Sequence, residues 1–261
     1  MKKKLSVKKI SFEVFGSLAD LLIWQIALVG ASFGQSGSRG VYQAFREADE
    51  VLSEINHHTL AATWHQLFKK RLLTYKKREN LYSVEITKFG LGRLKSQIPI
   101  YHKKRPWDGK VYLITYDIPE QKSNKRYLLR SILKRLKATP LQESVWLIPY
   151  NPREILNDFV NKNNIKASII VSDIGKDGGI GETDIHDLLI KVYKLESLNE
   201  KYEKFMKKAR SGKINLKYLL LEYLSILKDD PQLPFGLLPR GWLGYKAYEL
   251  YMRILPKKFS I

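Results

Sequence analysis

The sequence predicts an α+β protein in three parts, and three observations carry that expectation. The first hundred residues read as three helices followed by a hairpin. Residues 107–174 read as βα, β, αβ. From residue 182 onward the pattern is helical, apart from one segment rich in proline and glycine.

The 261 residues suit two or three domains, and 44% apolar residues are enough to build real cores. After a basic arm (Lys2, Lys3, Lys4, Lys8, Lys9), Leu18, Leu21, Leu22, Ile26 and Val29 recur with a helical period. The lysine start followed by the apolar stretch Leu18–Phe33 resembles a signal peptide. Asp20 and Gln25 interrupt the stretch, however, and it is too short for the roughly 20 residues of a membrane span, so a buried helix is expected. Residues 33–40 form a breaker-rich loop. A second helix is expected over about 41–55 and a third over about 58–73, with Leu60, Trp64, Leu67, Phe68 and Leu72 on one face. Two β-favouring runs, 73–76 and 81–87, flank the polar turn Lys77-Arg78-Glu79-Asn80, and Phe89–Leu94 closes the unit as a short helix. This order of elements, with a basic hairpin tip, is that of a winged helix, placed at residues 1–96.

Residues 97–106, with two prolines and the run His102-Lys103-Lys104-Arg105, read as a linker. Val111–Tyr116 is a near-continuous β run, followed by a basic helix over 122–137 with Tyr127, Leu128, Ile132, Leu133 and Leu136 inward. A strand or hairpin over 141–150, a helix over 152–163 and a strand over 166–171 complete a ferredoxin-like α/β sandwich over 107–174. Gly175–Gly181 is a flexible connection that lacks the pattern of a phosphate loop. A C-terminal helical domain is expected over 182–261.

The chain carries 46 basic and 26 acidic residues, a formal net charge of +20. Residues 1–106 hold 19 basic against 8 acidic, so the excess is concentrated where the winged helix is placed. Such a surplus favours a polyanionic partner, because cations docked on phosphates release counterions. Opposite its apolar face the third helix shows Thr59, Ala62, Thr63, Gln66, Lys69 and Lys70. Short polar side chains flanked by cations suit a recognition helix in the major groove of double-stranded DNA. Gln66 can pair with adenine, and Thr63 can meet a thymine methyl or a base edge. Lys69, Lys70 and Arg71, with Lys76, Lys77 and Arg78 of the wing, would meet phosphates.

The absence of cysteine excludes disulfides, thiolate metal sites and thiol catalysis, and fits a cytoplasmic protein. No histidine pairing resembles a zinc motif, so no metal or other cofactor is assigned. Asp117, at a strand end, could hold a divalent ion in a nuclease, or could cap the following helix or pair with a nearby cation. Trp242, Tyr245 and Tyr248 could stack on a small ligand or serve as core.

Three stretches together resemble the PaaX-type family of repressors. The first is the three-helix head with its hairpin. The second is Trp107-Asp108-Gly109-Lys110-Val111-Tyr112 running into Tyr116-Asp117-Ile118-Pro119-Glu120, then Arg130, Leu133, Ser144-Val145-Trp146 and Pro149-Tyr150. The third is Tyr202-Glu203-Lys204-Phe205, then Asp230-Pro231-Gln232-Leu233-Pro234, Leu237-Leu238-Pro239 and Trp242-Leu243-Gly244. The resemblance spans roughly residues 15–255. It departs from the family pattern at Leu243, where proline is common, and in the glycine-rich insert. It implies a homodimeric transcription repressor that is released from its operator by an acyl-coenzyme A-like effector, with no membrane association. The central region is also similar to the ferredoxin-like subunit of CRISPR adaptation, whose metal-binding aspartate matches Asp117. That similarity carries the competing expectation of a metal-dependent nuclease.

Overall fold

The apolar run near the start of the chain forms a helix, α1 (Leu18–Val29), that is buried on every side. Leu21, Leu22, Ile23 and Trp24 are all fully inaccessible, which is the signature of a core helix rather than an amphipathic surface one. A computed structural model describes residues 12–29, 35–36, 38–47, 52, 55–79, 81–119, 123–174 and 184–256. The basic arm at residues 2–9 and the glycine-rich connection at 175–181 lie outside them, as does the side chain of Arg78. By contact the chain divides into two units, one of residues 1–100, 202–229 and 245–261, the other of residues 101–201 and 230–244.

In the first unit α1 is followed by β1 (Gln35–Ser36), α2 (Ser38–Glu47), α3 (His57–Lys69), β2 (Leu73–Arg78), β3 (Leu81–Ile86) and α4 (Lys88–Gln97). The strands form an antiparallel sheet in the order β1-β3-β2. The residues expected as a loop before the second helix thus contribute a strand, because Gln35 and Ser36 pair with Tyr82 and Leu81. The β2–β3 hairpin also runs further than the polar composition of its tip predicts. Lys77 pairs with Tyr82 and Arg78 with Leu81, leaving a two-residue connection that begins at Glu79 with φ 52°. Lys77 stays in the strand because its ammonium lies 5.7 Å from the Tyr82 ring, its cross-strand partner.

The second unit contains β4 (Val111–Asp117), α5 (Ser123–Arg135), β5 (Thr139–Gln142), β6 (Val145–Ile148), α6 (Arg153–Lys162), β7 (Ser168–Ile174) and α7 (Ile185–Val192). Its four strands are antiparallel in the order β5-β6-β4-β7. Tyr112, Ile114 and Tyr116 of β4 pack with Trp146 and Ile148 against Leu129, Ile132 and Leu133 of α5 and Leu156 of α6. On the alternate face, Val111 and Leu147 pack with Leu189, Leu195, Leu233 and Leu237. Both faces of the sheet are covered, which explains why β4 reads as a continuous apolar run rather than an alternating one.

The Asp230-Pro-Gln-Leu-Pro motif folds into the second unit through its backbone. Asp230 is buried and its carboxylate accepts the Gln232 N–H at 2.7 Å, holding Gln232 at φ 55°. The Gln232 side chain accepts the His102 N–H at 2.7 Å, and its carbonyl accepts the Tyr150 hydroxyl at 3.0 Å. Arg105 donates to the Leu233 carbonyl at 2.9 Å, and its guanidinium lies 4.9 Å from the Tyr101 ring and 4.8 Å from the Phe235 ring. The segment 97–106, which composition suggests is a linker, therefore contains two buried residues, Tyr101 and Arg105.

The chain ends with α8 (Leu195–Ser211), α9 (Leu216–Asp229) and α10 (Gly244–Ile254). Tyr223 of α9 stacks on Tyr251 of α10 at 4.2 Å, and Lys228 donates to the carbonyls of Glu13 and Val14 within the first unit. Among the described residues, no helix is long and apolar enough to cross a membrane.

Candidate nucleic-acid interface

The position of α3 is set at both ends by local chemistry. Asn56, in an extended conformation, caps its start: the side-chain oxygen accepts from His58 N at 2.9 Å and Thr59 N at 3.4 Å. At the other end Arg71 adopts φ 55°. The Arg71 and Leu72 N–H groups return to the Phe68 and Leu67 carbonyls, each at 2.9 Å, a Schellman closure that buries Leu72. The chain can then turn directly into β2.

Aromatic packing joins this helix to its neighbours. The Trp64 indole donates to the Tyr75 hydroxyl at 3.2 Å, and Phe68 stacks on Tyr75 at 4.1 Å. Tyr42 and Phe45 of α2 meet Trp64 at 5.7 and 5.1 Å. With Leu60, Trp64 and Leu67 facing inward, the opposite face is fixed as the presenting one.

That face carries the expected side chains. Thr59, Ala62, Gln66, Lys69, Lys70 and Arg71 are exposed, and Thr63 is half-buried. The Thr63 hydroxyl donates to the Thr59 carbonyl at 2.8 Å, so its hydrogen is used within the helix. Its methyl and remaining lone pairs are left for a partner, which narrows the contacts it can make to a thymine methyl or a base-edge donor. The Gln66 amide has no partner among the described residues, and both its donors and its acceptor are available. The wing cations are less free than their positions in the sequence suggest. Lys76 pairs with Glu85 at 3.1 Å, and Lys77 lies over Tyr82.

Beside α3 lies a cleft of about 510 Å³ lined in part by Thr59, Thr63, Gln66, Lys70, Ser17 and Arg93. The last two are additions that the sequence pattern of α3 does not supply. Ser17 caps α1: its hydroxyl accepts the Asp20 N–H at 3.1 Å and donates to the Asp20 carboxylate at 2.5 Å. The Ser-x-x-Asp spacing is a legible cap signal. Arg93 comes from α4, 73 residues further on, and grips the same carboxylate with two donors, Nε at 2.5 Å and a terminal nitrogen at 3.1 Å. The hydrogen bond to Asp20 raises the Arg93 pKa further above its ordinary value, and the guanidinium stays charged. His58 and His65 also sit exposed on α3, unmarked by any motif.

Asp117 ends β4, exposed and opposite Ser168 of β7. Among the described residues its carboxylate has no side-chain partner, and no three His, Cys, Asp or Glu side chains converge as a metal site. The neighbouring Tyr116 is instead a structural hub. Its hydroxyl accepts from Arg130 Nε at 2.9 Å and donates to the Glu143 carbonyl at 2.9 Å. Trp242 packs against the second-unit cluster around Leu189 and Leu237. Gly244 is pressed against it, since a Cβ there would lie 2.5 Å from the indole nitrogen. Tyr245 is exposed and Tyr248 half-buried, both in the first unit.

Comparison with known proteins places this geometry in context. Residues 104–184 match the family model described as the PaaX protein central Cas2-like domain. Residues 193–258 match the PaaX-like protein C-terminal domain. Together the two matches take in more than half of the chain. Among solved structures, the uncharacterized protein Rv0674 from Mycobacterium tuberculosis is similar in fold. Its TM-score is 0.55 at 16% identity, and the likeness covers 92% of this chain and 95% of that one. No curated protein matches the chain.

Proposed function

Since the chain belongs to the PaaX-type family of transcription regulators, we propose that it is a sequence-specific DNA-binding repressor, acting as a homodimer on a palindromic operator. In this reading the first unit's α1-β1-α2-α3-β2-β3 order, with its β1-β3-β2 sheet, is a winged helix. The βαββαβ order of the second unit, with strands β5-β6-β4-β7, is a ferredoxin-like dimerisation domain. The observation that carries the proposal is the presenting face of α3, where Gln66 and the Thr63 methyl stand between exposed lysines on a helix locked from behind by Trp64 and Tyr75. Gln66 reads a base, Thr63 excludes alternatives by shape, and Lys69, Lys70, Arg71 and Lys77 contact phosphates. Release by an acyl-coenzyme A-like effector, which the family implies, requires that the effector favour one arrangement of the two heads over another.

Gln66→Ala is expected to lower discrimination at one base position of each half-site by about 1–3 kcal/mol, while affinity for random duplex stays nearly constant. Lys70→Ala is expected to weaken every sequence alike and to reduce the log–log salt slope by about 0.9. Competition binding against operator variants separates the two effects. Equal loss on specific and random DNA for Gln66→Ala contradicts its assignment as a reading residue.

A further inference from the structure

We infer that the outer face of α5 is a second DNA-contacting surface, one that grips the phosphate backbone of duplex DNA without reading sequence. The inference rests on DNA being the partner, and it concerns a unit other than the one that carries α3. The helix sequence SNKRYLLRSILKR holds five cations and no acid, and the structure sorts these cations by role. Lys125 donates to the Asn163 carbonyl at 2.5 Å, Arg126 to the Ile118 carbonyl at 2.6 Å, and Arg130 to Tyr116 and the Glu143 carbonyl. These three hold the unit together. Lys134 and Arg135 are exposed and have no side-chain partner among the described residues.

Tyr127, Ser131 and Lys134/Arg135 follow one another at i, i+4 and i+7/i+8, so they form one stripe. Tyr127 is 74% exposed, far more than an aromatic residue with only a packing role requires. With Arg130 and Lys137 the stripe lines an open groove of about 640 Å³. A neighbouring hollow of about 390 Å³ shares Arg130 and Lys134 and extends the surface toward Gln142 and Trp146. The one carboxylate at this rim, Glu143, is 91% exposed and lies 3.7 Å from Arg130.

Every side-chain polar group along the stripe is a hydrogen-bond donor: phenol, hydroxyl, ammonium and guanidinium. These are the groups that bind phosphate oxygens without carrying sequence information. From Tyr127 to Arg135 the helix rises about 12 Å at 1.5 Å per residue. One strand of B-DNA presents a phosphate about every 3.4 Å of axis, so the stripe faces three or four of them.

The test is the double variant Lys134→Gln/Arg135→Gln in the full chain, titrated by fluorescence anisotropy against a fixed-sequence duplex, a random duplex and a single strand. Titrations run from about 50 to 200 mM salt, the range over which counterion release is read. Removal of two phosphate contacts is expected to reduce the salt slope by about 1.8 and to lower affinity for both duplexes by the same factor. Ser131→Glu, which places a charge in the stripe at another exposed position, is expected to weaken both duplexes as well. An unchanged slope and affinity overturns the inference, as does a loss confined to the single strand. The random-duplex slope is read independently of operator preference. If the duplex is bound without preference, the reading of α3 fails and this surface still stands or falls on the slope. If no duplex is bound at all, both fail.

Discussion

Arg93→Ala is expected to destabilise the first unit by about 3 kcal/mol, the lower end of the range for breaking a buried ion pair. The Asp20 side chain is only 4% exposed, so its charge cannot be rehydrated once the guanidinium is gone. Arg93 itself is 37% exposed, which sets the estimate at the low end. Ser17 still donates to the carboxylate, but one hydroxyl does not replace a two-donor grip on a buried anion. Urea denaturation followed by circular dichroism measures the loss. The cause is separable: Asp20→Asn in the Arg93→Ala background should restore part of the stability, because the stranded charge is removed. Additive losses for the two substitutions would mean that the residues are not coupled.

Gly90→Ala is expected to be comparably disruptive, by about 3 kcal/mol, the upper end for overpacking a well-filled site. Gly90 is buried in the first turn of α4, where a Cβ would lie 2.2 Å from the Leu72 carbonyl oxygen and 2.7 Å from the Ile86 side chain. The Leu72 carbonyl cannot move aside easily. It accepts the Thr87 N–H at 3.1 Å, while the Thr87 hydroxyl donates to the Arg71 carbonyl at 2.6 Å and accepts the Gly90 N–H at 3.1 Å. This knot joins the end of α3, the end of the hairpin and the start of α4, so opening it tilts the presenting helix. Gly92 in the same helix is the internal control. A Cβ there meets nothing within 4 Å, and Gly92→Ala is expected to stabilise by up to about 1 kcal/mol through helix propensity. Destabilisation by both substitutions would show that general intolerance of the helix, rather than the close approach at Gly90, sets the cost.

These two sites mark where sequence patterns stop being informative. The helical period of α1, the inward face of α3 and the β run of β4 are readable because each is a local repeat of apolar residues. Asp20 reads only as an interruption that argues against a signal peptide. Its partner lies 73 residues away, and no local pattern couples them. The hairpin tip misleads for a related reason: Lys77 and Arg78 look like turn residues by composition, but cross-strand pairing with Tyr82 and Leu81 keeps them in the ladder. The segment 97–106 looks like a linker because cations dominate it, yet Arg105 is held by the backbone of a motif more than a hundred residues later. On the presenting face, the identities of Thr63 and Gln66 are legible from helical projection. That the Thr63 hydroxyl is already committed to the Thr59 carbonyl, and that Ser17 and Arg93 share the cleft, emerges only from three-dimensional packing.

The central claim, a dimeric reader of operator DNA, is tested most directly by selection. Purified full-length protein is incubated with a pool of random duplex DNA, and the retained molecules are sequenced. The account predicts an enriched inverted repeat with half-sites about 10 bp apart, or a multiple of that, as a two-fold protein presenting one helix per half-site requires. Retention of DNA with no enriched motif would contradict it.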